Sequence, residues 1–251
     1  MVPVVLLHGF PFDGSMWRDQ AAFLRSPEGG GHAVFTPDLP GFGPEPQETA
    51  FSPEDATIEA FAGSVHRLIA SIGGRAVVGG FSMGGYILLA LLRQFPGDVA
   101  AAIFLDTRPD ADSAEARANR LASIEDVSKN GSAAFVESML PRLLGPSAQP
   151  AAKDRTRKIM QRQSVPAIIA AQRAMSIRRD QGDLLSQIPV PVQIIVGAQD
   201  AITPPSVALA MQSRIPHAML VQIAGAGHMS PIEQPAAVNT ALRSFLALVK
   251  A

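Results

Sequence analysis

The 251-residue sequence contains no cysteine. That absence excludes disulfides, cysteine-based zinc sites and thiol catalysis, and leaves the redox compartment unread. An excess of charge of either sign is also missing: 21 Lys and Arg stand against 22 Asp and Glu, for a formal net charge of -1. Without a broad positive field, nucleic acid and anionic lipid are not expected partners. The opening "MVPVVLLHGF" carries no basic stretch ahead of its apolar run. Neither a signal peptide nor a membrane anchor is therefore expected, and a cytoplasmic location is the default. Internal repeats and low-complexity tracts are absent too.

What remains is an ordinary globular composition, 47% hydrophobic and 17% charged. Its length suits one large core carrying an insertion, in place of two independent domains. Short apolar runs recur at Val4 to Leu7, Ala33 to Thr36, Ala76 to Val78, Ala101 to Leu105, Val192 to Val196 and Met219 to Ile223. Each is continuous instead of alternating, the pattern of strands buried on both faces of a parallel sheet. Between them, apolar residues at three- and four-residue spacing predict helices over Ser15 to Leu24, Pro53 to Ile72, Met83 to Phe95, Pro204 to Arg214 and Pro235 to Val249. Strands alternating with helices imply a doubly wound, mostly parallel α/β sheet, with its ligand crevice at the carboxyl ends of the strands.

One segment breaks the alternation. From 111 to 185 no strand-like run occurs, only helical stretches at Ala114 to Ile124, Ser132 to Leu144 and Ala151 to Arg162, punctuated by Pro141, Pro146, Pro150 and Pro166. Such a length is far beyond an ordinary connection. It predicts a helical lid between two core segments, 1–110 and 186–251.

The chemistry is carried by "GGFSMGG", residues 79 to 85. Gly80-Phe81-Ser82-Met83-Gly84 fits G-x-S-x-G, with a predicted strand before it and a predicted helix after it. A serine on so sharp a turn adopts strained backbone angles, and the glycines two residues to either side remove side chains that would clash. The turn lifts the hydroxyl above the sheet and aims a helix N-terminus at any negative charge developing there.

A serine hydroxyl needs a base, oriented in turn by a carboxylate. Of five histidines, His228 lies in "IAGAGHMSPIEQP" after the last predicted strand, and Asp200 follows Val192 to Val196 in "VGAQDAITPP". The order Ser82, Asp200, His228 is the serine, acid, histidine order of one hydrolase fold and the reverse of the chymotrypsin order. Asp106, in "FLDTRPD" after the fourth strand, is a competing acid. The oxyanion donors are expected to be the backbone N–H groups of Met83, beside the serine, and of Phe10, in the loop after the first strand. His8 reads as a residue that orients that loop. His32, His66 and His217 receive no role. Phe10, Phe12, Trp17, Phe81 and Met83 are the candidate crevice walls, with Phe135, Met139, Leu140 and Met160 added from the lid. Arg142, Arg155, Arg157 and Arg162 are either a carboxylate-binding set or a solvated helix face.

The stretches "LLHGFPFDGSMWRDQ", "TPDLPGFG", "VVGGFSMGGYILLAL", "IIVGAQDAITPP" and "IAGAGHMSPIEQPAAVNTALRSFL" together resemble the α/β-hydrolase superfamily. The branch is the one holding small carboxylesterases, enol-lactonases of the 3-oxoadipate type and cofactor-free perhydrolases. The likeness spans Val4 to Asp106 and Ile188 to Leu248. It implies hydrolysis of an ester or lactone through an acyl-enzyme on Ser82, with no metal or organic cofactor. Two departures stand out. Relatives carry two further strands before the first motif, so six strands with one unprotected edge are expected here. Pro44 follows "DLPGFG" where a serine is common two residues on.

The resulting expectation is a serine esterase for short to medium acyl chains, acting on a small molecule without nucleic acid or a membrane span. A lactonase of the 3-oxoadipate kind, a perhydrolase and a slow-turnover ligand receptor of the same fold are the alternatives. Nothing in the sequence sets an oligomeric state.

Overall fold

The computed structural model describes residues 2–44 and 50–249; the outer bounds of the expected core, residues 1 and 251, fall outside that range. Six strands form one sheet: β1 (Val4–Leu7), β2 (Val34–Phe35), β3 (Ala76–Phe81), β4 (Val99–Leu105), β5 (Val192–Gly197) and β6 (Met219–Ile223). Their spatial order is β2-β1-β3-β4-β5-β6, and every described pair is parallel. The expected edge exists at β2, whose two-residue length leaves little open ladder for another chain to pair with.

Ten α-helices are described. In chain order they are α1 (Arg18–Arg25), α2 (Ile58–Ser71), α3 (Met83–Gln94), α4 (Ala114–Asn130), α5 (Ala133–Leu143), α6 (Pro150–Gln161), α7 (Val165–Ser176), α8 (Pro205–Arg214), α9 (Ser230–Glu233) and α10 (Pro235–Leu246). Strand side chains alternate between the two sheet faces. Val5, Leu7 and Val78 join one apolar cluster with α2, α3 and α8, whereas Val4, Leu6 and Val77 join a second with α1 and α10. Both faces are thus covered, which explains why the strands read as unbroken apolar runs.

α3 lies deepest, with Met83 to Leu92 all buried. The predicted helix from Pro53 begins later, at Ile58, because Thr57 has extended backbone and its hydroxyl accepts the Ala60 N–H as a cap. Ser15 to Leu24 is likewise split: Gly14 to Trp17 forms a 3-10 turn capped by Asp13, and α1 follows.

Between β4 and β5 come α4 to α7 with no strand among them. α7 has no counterpart among the predicted helices. Pro166 occupies its first turn, where a proline removes no needed hydrogen bond, and the Ser164 hydroxyl caps it at Ala167 N–H. The two ends of this insertion meet. Asp112, just before α4, accepts from Arg178, two residues past α7, at 2.6 Å, and from Arg120 at 2.6 Å. Arg178 also donates to the Asp110 carbonyl and lies over the Tyr86 ring of α3 at 4.2 Å.

Candidate active site

The crevice forms where the fold directs it, beyond the carboxyl ends of the strands. Ser82 follows β3 with φ 51 and ψ -113, a left-handed backbone that a side-chain-bearing residue rarely adopts. Several contacts hold it there. Its N–H donates to the Leu105 carbonyl at 2.9 Å, and its carbonyl accepts from the Thr107 hydroxyl at 2.7 Å. The flanking glycines are required by close approach: a Cβ on Gly80 would sit 2.3 Å from the Gly84 carbonyl oxygen, and one on Gly84 would sit 2.5 Å from that of Leu7.

The Ser82 hydroxyl lies 3.0 Å from His228 Nε2, and His228 Nδ1 lies 2.8 Å from Asp200 Oδ2. His228 and Asp200 are buried, while Ser82 remains partly exposed to the crevice. Asp200 Oδ1 accepts the N–H groups of Ile202 and Thr203, and its Oδ2 accepts the Thr203 hydroxyl at 2.6 Å. Burial works to raise this carboxyl, but the bonds from His228 and Thr203 outweigh it and hold Asp200 below the usual carboxylate value. An ionised Asp200 fixes the ring with its proton on Nδ1, leaving Nε2 free to accept the serine proton.

Asp106, the competing acid, does not touch the ring. Its Oδ1 accepts the Gly197 N–H at 2.7 Å and its Oδ2 the Ser230 hydroxyl. Burial, and secondly the nearby charge of Asp200, push its carboxyl well above the usual value.

The histidine loop is tied down by a residue outside the sequence-based set. Glu233 accepts from Gly227 N–H at 2.9 Å and Met229 N–H at 3.2 Å, the amides on either side of His228, and from Gly145 N–H of the insertion at 2.8 Å. Burial raises the Glu233 carboxyl above its usual value despite these three donors. Its signal in the sequence is an acid five residues beyond the histidine, in "GHMSPIEQP".

The Met83 amide opens α3 beside Ser82, and the Phe10 amide lies in the loop after β1. Neither has an acceptor among the described hydrogen bonds. His8 fixes that loop: Nδ1 donates to the Gly9 carbonyl and Nε2 accepts the Leu39 N–H at 3.0 Å. Complete burial is the main reason its pKa falls to about 4, so the ring is neutral and structural. The "DLPGFG" loop supports the same region. Asp38 accepts the Gly14 N–H, and the Gly43 N–H, next to Pro44, donates to Gln163 of the insertion.

The expected walls divide. A groove of about 420 Å³ runs between α4 and α5, lined by Phe10, Phe135 and Met139 and reaching Ile202 beside Asp200. Phe12, Trp17 and Phe81 do not face it. They have no accessible surface and pack edge-to-face in the core, with ring centroids 6.2 and 6.3 Å apart. Leu140 and Met160 belong to the same buried cluster. These five side chains are buried and do not line the groove.

The arginines also separate. Arg155 pairs with Asp19, Arg157 with Glu137 and Asp154, and Arg162 grips Asp13 through two nitrogens at 2.5 and 2.6 Å. Arg142 alone of the four lines the groove. No cluster of metal-binding side chains occurs among the described residues, and no described helix is long and apolar enough to cross a membrane.

Three relatives give this geometry its context. A pimeloyl-[acyl-carrier protein] methyl ester esterase of Aromatoleum aromaticum is 28% identical over 92% of this chain and 93% of its own. A thermophilic esterase of Thermogutta terrifontis, solved with malate bound, is 37% identical and superposes with a TM-score of 0.93 over 100% of this chain and 91% of its own. The enol-lactonase of Burkholderia xenovorans is 24% identical with a TM-score of 0.86, over 98% of this chain and 92% of its own, a likeness of fold. The model of the alpha/beta hydrolase family matches residues 4–241, and with a parallel sheet carrying a serine at its strand-to-helix turn, this chain belongs to that family.

Proposed function

We propose that the protein is a serine hydrolase of carboxylic esters with short to medium acyl chains. The observation that carries this reading is the unbroken hydrogen-bonded line from Ser82 through His228 to Asp200, at 3.0 and 2.8 Å. In the first half-reaction the Ser82 oxygen attacks the ester carbonyl while its proton passes to His228 Nε2. The oxyanion is received by the Phe10 and Met83 N–H groups. His228 then protonates the departing alkoxide, leaving an acyl group on Ser82. In the second, water attacks that acyl group, gives its proton to His228, and the acid leaves as the serine is re-protonated. Every step is proton transfer and acyl transfer, so no organic cofactor or metal is assigned. The insertion over 111–185 acts as the lid that walls the acyl site, and the bond from Gly145, midway along it, to Glu233, which ties down the histidine loop, supports that role.

The test is a series of nitrophenyl esters of increasing acyl length together with an enol-lactone, run with wild type and Ser82→Ala. The expected outcome is turnover of the shorter esters that falls by about 10⁶ in the variant. Ester hydrolysis that persists unchanged in Ser82→Ala would overturn the mechanism. Faster opening of the lactone than of any open-chain ester would make the lactonase reading the better one.

A further inference from the structure

The groove above the site has an arrangement that a simple acyl-chain channel does not need. Its α4 side presents Ala116, Asn119, Arg120 and Ser123, and its α5 side Phe135, Ser138, Met139 and Arg142. Both sets follow the i, i+3, i+4, i+7 spacing, so each is one continuous helix face turned to the groove. The inner end, beside the Phe10 amide and the Asp200 loop, is apolar through Phe10, Phe135 and Ile202.

Elsewhere polar side chains join Ala116 and Met139 in the lining, and its charge has one sign. Arg120 and Arg142 contribute to it, and no carboxylate does. Arg120 pairs with Asp112, but that carboxylate is shared with Arg178, leaving two cations to one anion. Gln172 of α7 completes the lining. It is 2% exposed, and its Nε2 is buried without a hydrogen-bond partner. An orphaned buried donor is costly, and a guanidinium facing the same space compounds the demand for an acceptor.

Resting on the hydrolase reading above, we infer that this groove selects esters whose far end bears a carboxylate, with Arg142 and Gln172 as the recognising groups. The substrate class is then half-esters of dicarboxylic acids. The apolar inner end accommodates the methylene chain between scissile carbonyl and carboxylate. The Gln172 amide and the Arg142 guanidinium donate to the carboxylate oxygens at the other end.

The experiment compares nitrophenyl half-esters of dicarboxylic acids with four to seven carbons against neutral nitrophenyl esters of matched length. The readout is the ratio of kcat/KM between the two members of each pair. Wild type is expected to favour the half-ester at one or more lengths, and Arg142→Met and Gln172→Leu to lower that ratio by about tenfold to a hundredfold, mainly through KM. Arg142→Lys restores part of the ratio, and added salt diminishes it. Arg157→Gln, outside the groove, serves as the control. Titration of Ser82 with a fluorophosphonate counts competent sites in each preparation. Because Arg142 is exposed, its variant retains the fold even if Gln172→Leu does not. A wild type that favours the neutral esters, or a ratio unaltered in Arg142→Met, overturns the selectivity while leaving ester turnover in place. Absence of turnover on both series, with Ser82 unreactive toward the phosphonate, overturns the hydrolase reading and the selectivity together.

Discussion

Two aspartates illustrate what decides function at the scale of a residue. Asp106 and Asp200 both follow strands and both are buried, yet only Asp200 reaches the imidazole. The consequence is a sharp asymmetry. Asp200→Asn is expected to lower turnover of a nitrophenyl ester by about 10⁴, because the ring loses both its tautomer and the charge that stabilises its protonated form. Asp106→Asn keeps turnover within the same order of magnitude, since Ser230 and Gly197 still find a polar partner there. Loss in the second variant only would exchange the two roles. His8 carries a separate prediction about stability. Folding lowers its pKa from 6.5 to about 4, chiefly by burial. The unfolded chain therefore takes up the proton first as pH falls, so the neutral ring supports folding fully above pH 6.5 and progressively less toward pH 4. The difference amounts to roughly 3 kcal/mol by pH 4. Urea unfolding at pH 7 and at pH 4 measures it, and His8→Asn should remove that share of the slope. The motif residues were legible because a serine elbow demands glycine at fixed offsets. Phe12, Trp17 and Phe81 could be read as core or pocket, because an aromatic after a strand serves both equally well, and packing shows them fully buried.

At the scale of elements, β1, β3, β4 and β5 were readable because each is buried on both faces, which removes the polar alternation that a half-solvated strand would show. The boundaries shifted where a side chain, not the apolar pattern, sets the end, as Thr57 does for α2. α7 went unread because Pro166 looks like punctuation, although a proline in a first turn behind a capping serine is compatible with a helix. With α7 unread, Gln172 was missed as well. Glu233 belongs to this scale because it joins three elements: the loop after β6, the short α9 and the turn after α5. Glu233→Gln replaces one acceptor oxygen with a donor and is expected to reduce kcat about tenfold, and Glu233→Ala about a hundredfold, as His228 loses its fixed approach to Ser82. KM on the same ester should vary little. A variant with wild-type kcat would assign Glu233 to stability alone, a distinction that a melting curve measured alongside would make plain.

At the scale of the whole molecule, the scaffold and the insertion divide the work. The sheet delivers Ser82, Asp200 and His228 from the ends of β3, β5 and β6, with β4 lying between the first two and the entire insertion separating them in sequence. α4 and α5 supply most of the groove. The proposed chemistry and the proposed selectivity therefore sit on separate parts of the chain. The sequence revealed the first through its motif spacing and the second only as a long strandless interval, since helix faces become a groove only once they are set opposite each other.

The Asp112–Arg178 pair has a bearing on how such proteins diversify. It fastens the way in and the way out of four consecutive helices at one spot against the Tyr86 ring. Because the same segment is also tied to the core further along, through Gly145 to Glu233 and Arg162 to Asp13, a replacement must supply those inner ties as well as the doorway. New specificities can then arise by changing the helix faces of the segment while its anchor points are kept.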